Sequence, residues 1–188
     1  MDKYIFKKRQ SLSNNDCKHV IHLLDKSEVI KNPRGYDYIN GSFRSVEYNF
    51  LKSILLNGIG EYIKKHPYLE FKYNPYVKMM IDNYFMIKKF LPGDFYGCTG
   101  TSEPSEAEHM EEGPLGSEGE KRILAWMIYL NDIKNKGGTC FPQQNFITKP
   151  RAGDLYIWPA GWTHSHYGIP APKEKKYFIS GWFYLVKC

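Results

Sequence analysis

The hydrophobic pattern of the chain changes near residue 76, from a helical period to a strand period. Before that point two helices are predicted, one with Ser13 as its N-cap and one over residues 46–65. After it, apolar runs of strand length recur between turn residues, at residues 76–81, 84–90, 122–130, 153–158 and 177–186. This order predicts a mainly β protein with N-terminal helices (α+β), whose core is a double-stranded β-helix, that is, a jelly-roll or cupin-like barrel.

The chain has 188 residues, which suits a single domain over residues 1–188. Within it, residues 1–70 are predicted to give helical support, and residues 71–188 to form the jelly-roll core. Residues 97–120 interrupt the strand pattern because they are rich in Gly, Ser, Pro and Glu and poor in large apolar side chains. This segment is predicted to be a mobile loop that acts as a lid or a binding loop.

Charge and cysteine usage argue against several classes of protein. The net charge is +6, but the lysines are spread along the chain, so nucleic acid is not favoured as a partner. The four cysteines lie far apart without a Cys-x-x-Cys motif, which favours free thiols in a reducing compartment. No apolar run is long enough for a signal peptide or a membrane span. A cytoplasmic protein without a membrane partner is therefore expected, and its oligomeric state is left open.

Two histidines and a carboxylate offer a donor set that Fe(II) accepts while keeping other coordination positions open. The carboxylate-histidine pair is His109-x-Glu111, and the second imidazole is His166. His164 is an alternative to His166, because residues two apart in a strand share a face. Lys176 follows ten residues after His166 and supplies a cation that could anchor a dicarboxylic acid.

A series of motifs along the barrel segment has a distinctive order. It consists of residues 122–132, Gly137-Gly138-Thr139-x-Phe141-Pro142, residues 149–160, and then His166, Lys176 and Trp182. In this order and spacing the motifs resemble the 2-oxoglutarate/Fe(II)-dependent oxygenases of the prolyl 4-hydroxylase type. The resemblance covers residues 76–185 closely and the N-terminal part loosely. Each motif alone is short, and the indication comes from their order and spacing together.

The resemblance implies which groups the protein would bind. Fe(II) would be held by His109, Glu111 and His166, which are the implied catalytic and metal-binding residues. The cosubstrates would be 2-oxoglutarate and O2, and ascorbate is admitted as an additional reductant. The implied reaction converts 2-oxoglutarate to succinate and hydroxylates a C–H bond of an amino-acid or peptidyl substrate, in the first place a prolyl residue.

The resemblance also implies how the cosubstrate and the substrate are held. The distal carboxylate of 2-oxoglutarate would pair with Lys176, assisted by the hydroxyl groups of Tyr129 and Ser180. Aromatic side chains and the acidic loop over residues 97–120 would shape the substrate pocket. The aromatic candidates are Tyr96, Trp126, Trp158 and Trp162.

The first two metal ligands are where the sequence departs from the family pattern. Residues 90–96 fit the opening of the family's ligand motif, but Thr99 and Thr101 stand where the family has His and Asp. An insertion would move the pair downstream to His109 and Glu111, and glutamate offers the same carboxylate on a stem one methylene longer. The alternative from another class of protein is a metal-deficient barrel used for binding or scaffolding.

A further alternative is an oxygenase of the same family that acts on nucleic acid or a small molecule. The nucleobase-demethylating relatives carry a second basic residue shortly after the carboxylate anchor, and residues 181–184 contain none. The nucleic-acid option is therefore less favoured, and the identity of the substrate stays open.

Overall fold

The computed structural model describes residues 4–70, 77–97, 100 and 102–187 of the chain. Within these ranges the two α-helices are α1 (Asn14–Lys26) and α2 (Asn49–Lys65). The strands are β1 (Phe6–Lys8), β2 (Ile30–Asn32), β3 (Tyr36–Ser42), β4 (Val77–Ile81), β5 (Tyr84–Phe90), β6 (Arg122–Tyr129), β7 (Thr139–Phe141), β8 (Phe146–Ile147), β9 (Leu155–Pro159), β10 (Tyr167–Gly168) and β11 (Lys176–Lys187). Neither helix is both long enough and apolar enough to cross a membrane.

Eight of the described strands form one large sheet, and three form a small sheet. The large sheet has the order β1-β9-β6-β11-β5-β3-β2, and β4 pairs with the far end of β11. The small sheet has the order β10-β7-β8. Side chains of β6 and β9 meet Phe141 of β7 in a shared core, and the helices cover the outer face of the large sheet. This is a double-stranded β-helix, or jelly roll, backed by a helical layer.

The alternation of side chains along β6 separates the two faces of the large sheet. Leu124, Trp126 and Ile128 join the core under the helices, whereas Met127 and Tyr129 join the core that faces the small sheet. All five side chains are at most 4% exposed. The strand is a continuous apolar run because both of its faces are covered.

The start of α1 confirms the prediction from the sequence. The Oγ of Ser13 accepts a hydrogen bond from the backbone N–H of Asp16 at 3.1 Å, which satisfies one donor of the first helical turn. Cys17, Val20 and Leu24 are at most 1% exposed and pack onto the large sheet. Their spacing of three and four residues therefore marks the buried face of the helix.

The second helix begins at Asn49, three residues after the predicted start, because the chain before it forms turns. Glycine lowers helix propensity, yet Gly58 allows a close approach where the helix crosses β9. A Cβ at Gly58 would lie 2.4 Å from Cδ2 of Leu155, so a larger residue would require the side chain of Leu155 to move. At Gly60 a Cβ would meet nothing within 4 Å.

Residues 1–70 contribute three strands in addition to the two helices, so helical support describes this segment incompletely. β1 pairs with β9, and β3 pairs with β5 so that Tyr38 lies opposite Lys88. β3 lacks the apolar run of a typical strand, because Tyr36–Ser42 mixes polar residues and a glycine with few apolar ones. That the chain forms a single domain stays a prediction.

The acidic loop between β5 and β6 is anchored to the barrel over its second half. His109 and His166 exchange both backbone hydrogen bonds, with N···O distances of 3.0 and 2.9 Å. The N–H groups of residues 111 and 112 donate to the carbonyl oxygen of Ala160 at 3.0 and 2.9 Å. The mobility of residues 97–120 stays a prediction.

Some expectations from the sequence fall on residues outside the described ranges. These residues are Thr99, Thr101, Cys98 and Cys188. Of the other cysteines, Cys17 and Cys140 are free thiols, as expected.

Candidate active site

Three candidate metal ligands meet where the acidic loop contacts the residue before β10. One ligand atom from each of His109, Glu111 and His166 lies within 4.8 Å of the other two. The Oε1 of Glu111 is 3.5 Å from Nε2 of His166 and 4.0 Å from Nε2 of His109. The backbone bridge between His109 and His166 brings these distant parts of the chain together. The structure thus places all three nominated residues in one cluster.

Backbone carbonyl groups fix the orientation of both imidazoles. Nδ1 of His109 lies 2.9 Å from the carbonyl oxygen of Ala107, and Nδ1 of His166 lies 3.0 Å from that of His164. Because a carbonyl oxygen only accepts, each Nδ1 carries a hydrogen, and Nε2 is the ring nitrogen that faces Glu111. Burial lowers the pKa of His109, and the nearby His166 adds to this effect. Both rings are therefore held in the tautomer that binds a metal through Nε2.

Glu111 is held by contacts to its side chain and to its backbone. The Nε1–H of Trp182 donates to Oε2 at 2.8 Å, which leaves Oε1 directed at the histidines. Arg122 donates from Nη1 to the carbonyl oxygen of Glu111 at 3.1 Å, and its guanidinium lies 3.6 Å from the centre of the Trp182 ring. Burial alone would raise the pKa of Glu111, but His166 and other basic neighbours keep it below its usual value. The carboxylate is therefore ionised and oriented for a cation.

His164, the alternative to His166, lies outside this cluster. It ends the 3-10 turn Trp162–His164 and is not in a strand, so the expected shared face with His166 does not form. Its ring is buried, with Nδ1 3.0 Å from Oγ1 of Thr163 and its centroid 6.3 Å from the ring centroid of Tyr4. The geometry therefore favours His166 as the third donor.

A cavity of about 320 Å³ lies beside the cluster. Strands β3, β5, β6, β7 and β11 and the acidic loop all contribute to its walls. All six site residues nominated from the sequence line it: His109, Glu111, Tyr129, His166, Lys176 and Ser180.

Lys176 is buried in the wall of the cavity and is 3% exposed. Its Nζ donates to the carbonyl oxygen of Ile169 at 3.3 Å and lies 4.9 and 5.8 Å from the ring centres of Phe90 and Phe178. Burial lowers the pKa of Lys176 to about 8, and the charge of Lys88 contributes. No carboxylate of the described ranges pairs with this ammonium group, so it is suited to bind an anion in the cavity.

Two hydroxyl groups lie in the same part of the cavity wall. The hydroxyl of Tyr129 is 2.7 Å from Oγ1 of Thr148 and 3.2 Å from Oγ1 of Thr139. Burial raises the pKa of Tyr129, so the phenol stays protonated. The Oγ of Ser180 is buried and has no hydrogen-bond partner in the described part of the chain. A buried hydroxyl of this kind in a cavity wall indicates that a polar ligand completes the site.

Two of the four aromatic residues predicted to shape the pocket line this cavity. These are Tyr96 and Trp158. Trp126 instead packs under the helices, 6.2 Å from the ring of Phe43, because even-numbered residues of β6 face the helical layer. Trp162 is 69% exposed and lines an outer groove. The prediction was therefore wrong for Trp126. For Trp162 it stays a prediction, because the outer groove also contains His109.

The cavity also contains candidates that the sequence did not single out. Lys88 and Tyr36 face it from β5 and β3, and Arg34 does so from the turn before β3. A signal for Lys88 was present, because in an alternating strand it shares a face with Met86 and Phe90. No comparable signal marked Arg34 or Tyr36, since β3 itself was not predicted.

Comparison with known proteins places this geometry in context. Residues 98–184 match the family model of the 2OG-Fe(II) oxygenase superfamily. A curated relative from Acanthamoeba polyphaga mimivirus, named "Putative prolyl 4-hydroxylase", is 28% identical over 138 residues, which are 60% of this chain. The matched region spans 54% of the length of that relative.

Solved structures show the same fold. The viral collagen prolyl hydroxylase of Paramecium Bursaria Chlorella virus-1, in complex with 2OG, has a TM-score of 0.69 and 18% identity, covering 96% of this chain and 95% of that one. The prolyl hydroxylase of Trichoplax adhaerens, in complex with a peptide fragment of the hypoxia inducible factor oxygen degradation domain, has a TM-score of 0.68 and 15% identity. That match covers 97% of this chain and 84% of the other. The predicted fold class is confirmed.

Proposed function

We propose that the chain is an Fe(II)- and 2-oxoglutarate-dependent dioxygenase, a function supported by the match of residues 98–184 to the family model of the 2OG-Fe(II) oxygenase superfamily. Its reaction is the hydroxylation of a C–H bond in an amino-acid or peptidyl substrate, in the first place a prolyl residue. The observation that carries the proposal is the cluster of His109, Glu111 and His166, with both Nε2 atoms directed at the carboxylate. The family relationship and the prolyl hydroxylase fold support the same reaction.

The residues present fit Fe(II), which His109, Glu111 and His166 would hold. Two neutral imidazoles and one carboxylate form the donor set that leaves positions open for a cosubstrate and O2. The chemistry supplied when these groups are bound is the oxidation of 2-oxoglutarate to succinate and CO2, coupled to hydroxylation of the substrate. The protein fixes the three donors, and Trp182 and Arg122 support Glu111 from behind.

The cavity wall fits a dicarboxylate cosubstrate. Lys176 would bind the distal carboxylate as a point charge, and Ser180 would donate its free hydroxyl hydrogen. The Oγ1 of Thr148 already accepts from the N–H of Thr139 at 2.7 Å, so its own hydrogen is free to donate to Tyr129. If Thr148 and Thr139 both donate to Tyr129, the phenol hydrogen would be available to the same carboxylate.

The substrate side is best supported for a peptide. A curated relative is named for prolyl 4-hydroxylase activity, and one solved relative is bound to a peptide fragment. In this chain the aromatic side chains of Tyr36 and Tyr96 line the cavity next to His109 and would exclude water from the reacting centre. Use of ascorbate and a cytoplasmic location stay predictions.

The metal-deficient scaffold is less well supported than the enzyme. That alternative arose because Thr99 and Thr101 cannot ligate a metal, but a complete donor set forms downstream without them. Metal titration separates the two functions: the enzyme binds Mn(II) in a manner that 2-oxoglutarate strengthens, and a scaffold does not.

The proposal is tested by succinate release with Fe(II), 2-oxoglutarate and a panel of prolyl peptides, amino acids and oligonucleotides. Turnover with a prolyl peptide is expected, and His109→Ala should abolish both turnover and Mn(II) binding. His22→Ala is the matched control. His22 is an exposed residue of α1, and α1 packs on the helical side of the large sheet. Mn(II) binding that survives His109→Ala would contradict the assignment of the ligands.

A further inference from the structure

Lys88 is a second cation in the cavity that the proposed reaction does not use. It lies in β5 opposite Phe178 of β11, and its side chain is half-buried. The Nζ atom is 5.2 Å from the ring centre of Tyr36 and 5.5 Å from that of Phe178. Both aromatic rings attract the ammonium group and hold it against the cavity wall.

The ammonium group of Lys88 makes no hydrogen bond or ion pair with the described residues. The next lysine shows the contrast: Lys89 points to the other face of the strand, where it is 3.4 Å from Asp25 and 4.0 Å from Asp37. Aromatic rings do not use the three N–H donors of an ammonium group. A half-buried ammonium with unused donors in a cavity wall is suited to an anionic ligand.

Lys88 is more exposed than Lys176, although both lie near the ring of Phe178. Lys176 is 3% exposed and touches the rings of Phe90 and Phe178. Lys88 instead contacts Tyr36, whose ring centre is 6.1 Å from that of Tyr96. Arg34, which is exposed, lies 5.1 Å from the ring centre of Tyr96. Aromatic and cationic groups thus continue from Lys88 to the surface.

The charge of the cavity wall is unbalanced even when the cosubstrate is counted. Four cations and one carboxylate line it within the described ranges: Arg34, Lys88, Arg122, Lys176 and Glu111. A bound Fe(II) and the doubly negative 2-oxoglutarate would offset each other. Three positive charges in excess would then remain for the substrate.

We propose that Lys88 binds a carboxylate of the substrate, so that the favoured substrate carries an acidic group close to the hydroxylated residue. This inference rests on the proposed function and names its substrate class: an acidic prolyl peptide, or an amino acid recognised through its own carboxylate. A carboxylate placed at Lys88 would meet the ammonium between Tyr36 and Phe178, beside the metal cluster. It would thereby orient the neighbouring residue toward His109, Glu111 and His166.

The first experiment measures binding rather than turnover. Protein loaded with Mn(II) and 2-oxoglutarate is titrated by calorimetry with blocked tetrapeptides that contain one proline. The peptides come in pairs that have Asp or Asn at one position next to the proline. L-Proline and prolinamide form a further pair of the same kind. The carboxylate member of at least one pair should bind about 10- to 100-fold more tightly, as expected for a charged hydrogen bond. Lys88→Met should remove this preference, and Lys88→Arg should keep most of it.

Lys89→Met is the matched control, because it removes a lysine from the same strand but from the opposite face. It should leave the preference for the carboxylate unchanged. Equal binding of both members of every pair by the wild-type protein overturns the proposal, whether or not the variants fold. A preference that persists in Lys88→Met also overturns it.

Two further measurements distinguish this inference from a role of Lys88 in cosubstrate binding and from failure of the proposed function. If Lys88→Met weakens the binding of 2-oxoglutarate to the Mn(II)-loaded protein and leaves the peptide preference intact, Lys88 serves the cosubstrate and the proposal fails. Succinate release that is equal with Asp and Asn peptides would overturn the acidic preference while leaving the prolyl hydroxylase function in place. Absence of succinate release with every peptide and amino acid would contradict the proposed function, and the binding preference would then still decide the role of Lys88.

Discussion

The two ends of the cavity differ in how their polar atoms are satisfied. At the metal end, the Nδ1 atoms of His109 and His166 and the Oε2 atom of Glu111 each have a hydrogen-bond partner in the protein. At the lysine end, Ser180 Oγ has none among the described residues, and Lys176 has one long hydrogen bond to a carbonyl group. One end is thus supported from behind, and the other presents groups with free hydrogen-bonding capacity.

At the metal end the fold itself orients the binding groups, whereas at the lysine end the ligand satisfies them. The supports of the metal end orient the donors before any ion binds, which lowers the entropic cost of binding. The lysine end holds a buried charge at the expense of stability, and a dicarboxylate would compensate that charge. Substitutions at the two ends should therefore affect different equilibria, metal affinity at one end and 2-oxoglutarate affinity at the other.

The largest effect is expected from Glu111→Gln, which removes the charged donor of the metal end. An uncharged amide is a poor substitute for a carboxylate, so Mn(II) affinity should fall by at least about 100-fold and turnover should be lost. Glu112→Gln is the control, since the backbone N–H of Glu112 also bonds to Ala160 but its side chain lies outside the cluster. Mn(II) titration followed by calorimetry measures both variants. Wild-type Mn(II) affinity in Glu111→Gln would remove Glu111 from the ligand set.

A smaller and different effect is expected from Lys176→Ala at the lysine end. The loss of a charged hydrogen bond should weaken 2-oxoglutarate binding by about 1.5–3 kcal/mol, with Mn(II) affinity unchanged. Lys175→Ala is the control, because Lys175 is exposed and precedes the same strand. Calorimetric titration of the Mn(II)-loaded variants with 2-oxoglutarate gives both constants. If 2-oxoglutarate affinity is unchanged, another cation of the cavity and not Lys176 anchors the cosubstrate.

A support of the metal end is tested by Trp182→Phe. The substitution keeps an aromatic ring near Arg122 and removes the Nε1–H that donates to Glu111. Metal affinity should fall about tenfold, as for other groups that orient a ligand, while 2-oxoglutarate binding changes less. Trp126→Phe is the matched control, because the Nε1 of Trp126 has no hydrogen-bond partner in the described ranges and its ring packs under the helices, away from the cluster. Equal Mn(II) affinity in both variants would show that the hydrogen bond does not position Glu111.

The strands at the centre of the large sheet were predictable because local pattern decides them. β6 is covered on both faces, so its sequence is an unbroken apolar run. β3 was not predictable in this way, because pairing with β5 forms it and few of its own side chains are apolar. The prediction for Trp126 was wrong for a related reason. The sequence shows the alternation of side chains along a strand, but it does not show which face of the strand lines the cavity.

The candidate site was predictable as a set of donors but not as a geometry. The types and order of His109, Glu111 and His166 suffice to nominate a metal site. Their approach depends on the backbone bridge from the acidic loop to residue 166, which no local pattern encodes. The rejection of His164 likewise depends on a 3-10 turn in place of a strand. Lys88 shows the converse case, a residue whose alternation was visible and whose function depends on its neighbours from other strands.

The last expected effect is a pH dependence confined to the lysine end. Because burial lowers the pKa of Lys176 to about 8, its ammonium group loses a proton as the pH rises through that value. Only the charged form binds a carboxylate well, so 2-oxoglutarate should bind fully at pH 7 and more weakly above pH 8. The decrease in affinity should approach about tenfold per pH unit.

Lys176→Arg separates this titration from any effect of pH on the metal end. Arginine keeps its charge throughout this range, so the affinity of the variant for 2-oxoglutarate should stay nearly level between pH 7 and pH 9.5. Calorimetry on the Mn(II)-loaded proteins across that range measures both profiles. Parallel profiles for the wild-type protein and Lys176→Arg would assign the dependence to another group. Because the bound carboxylate favours the charged lysine, the wild-type profile should also shift to higher pH when it is followed in the complex.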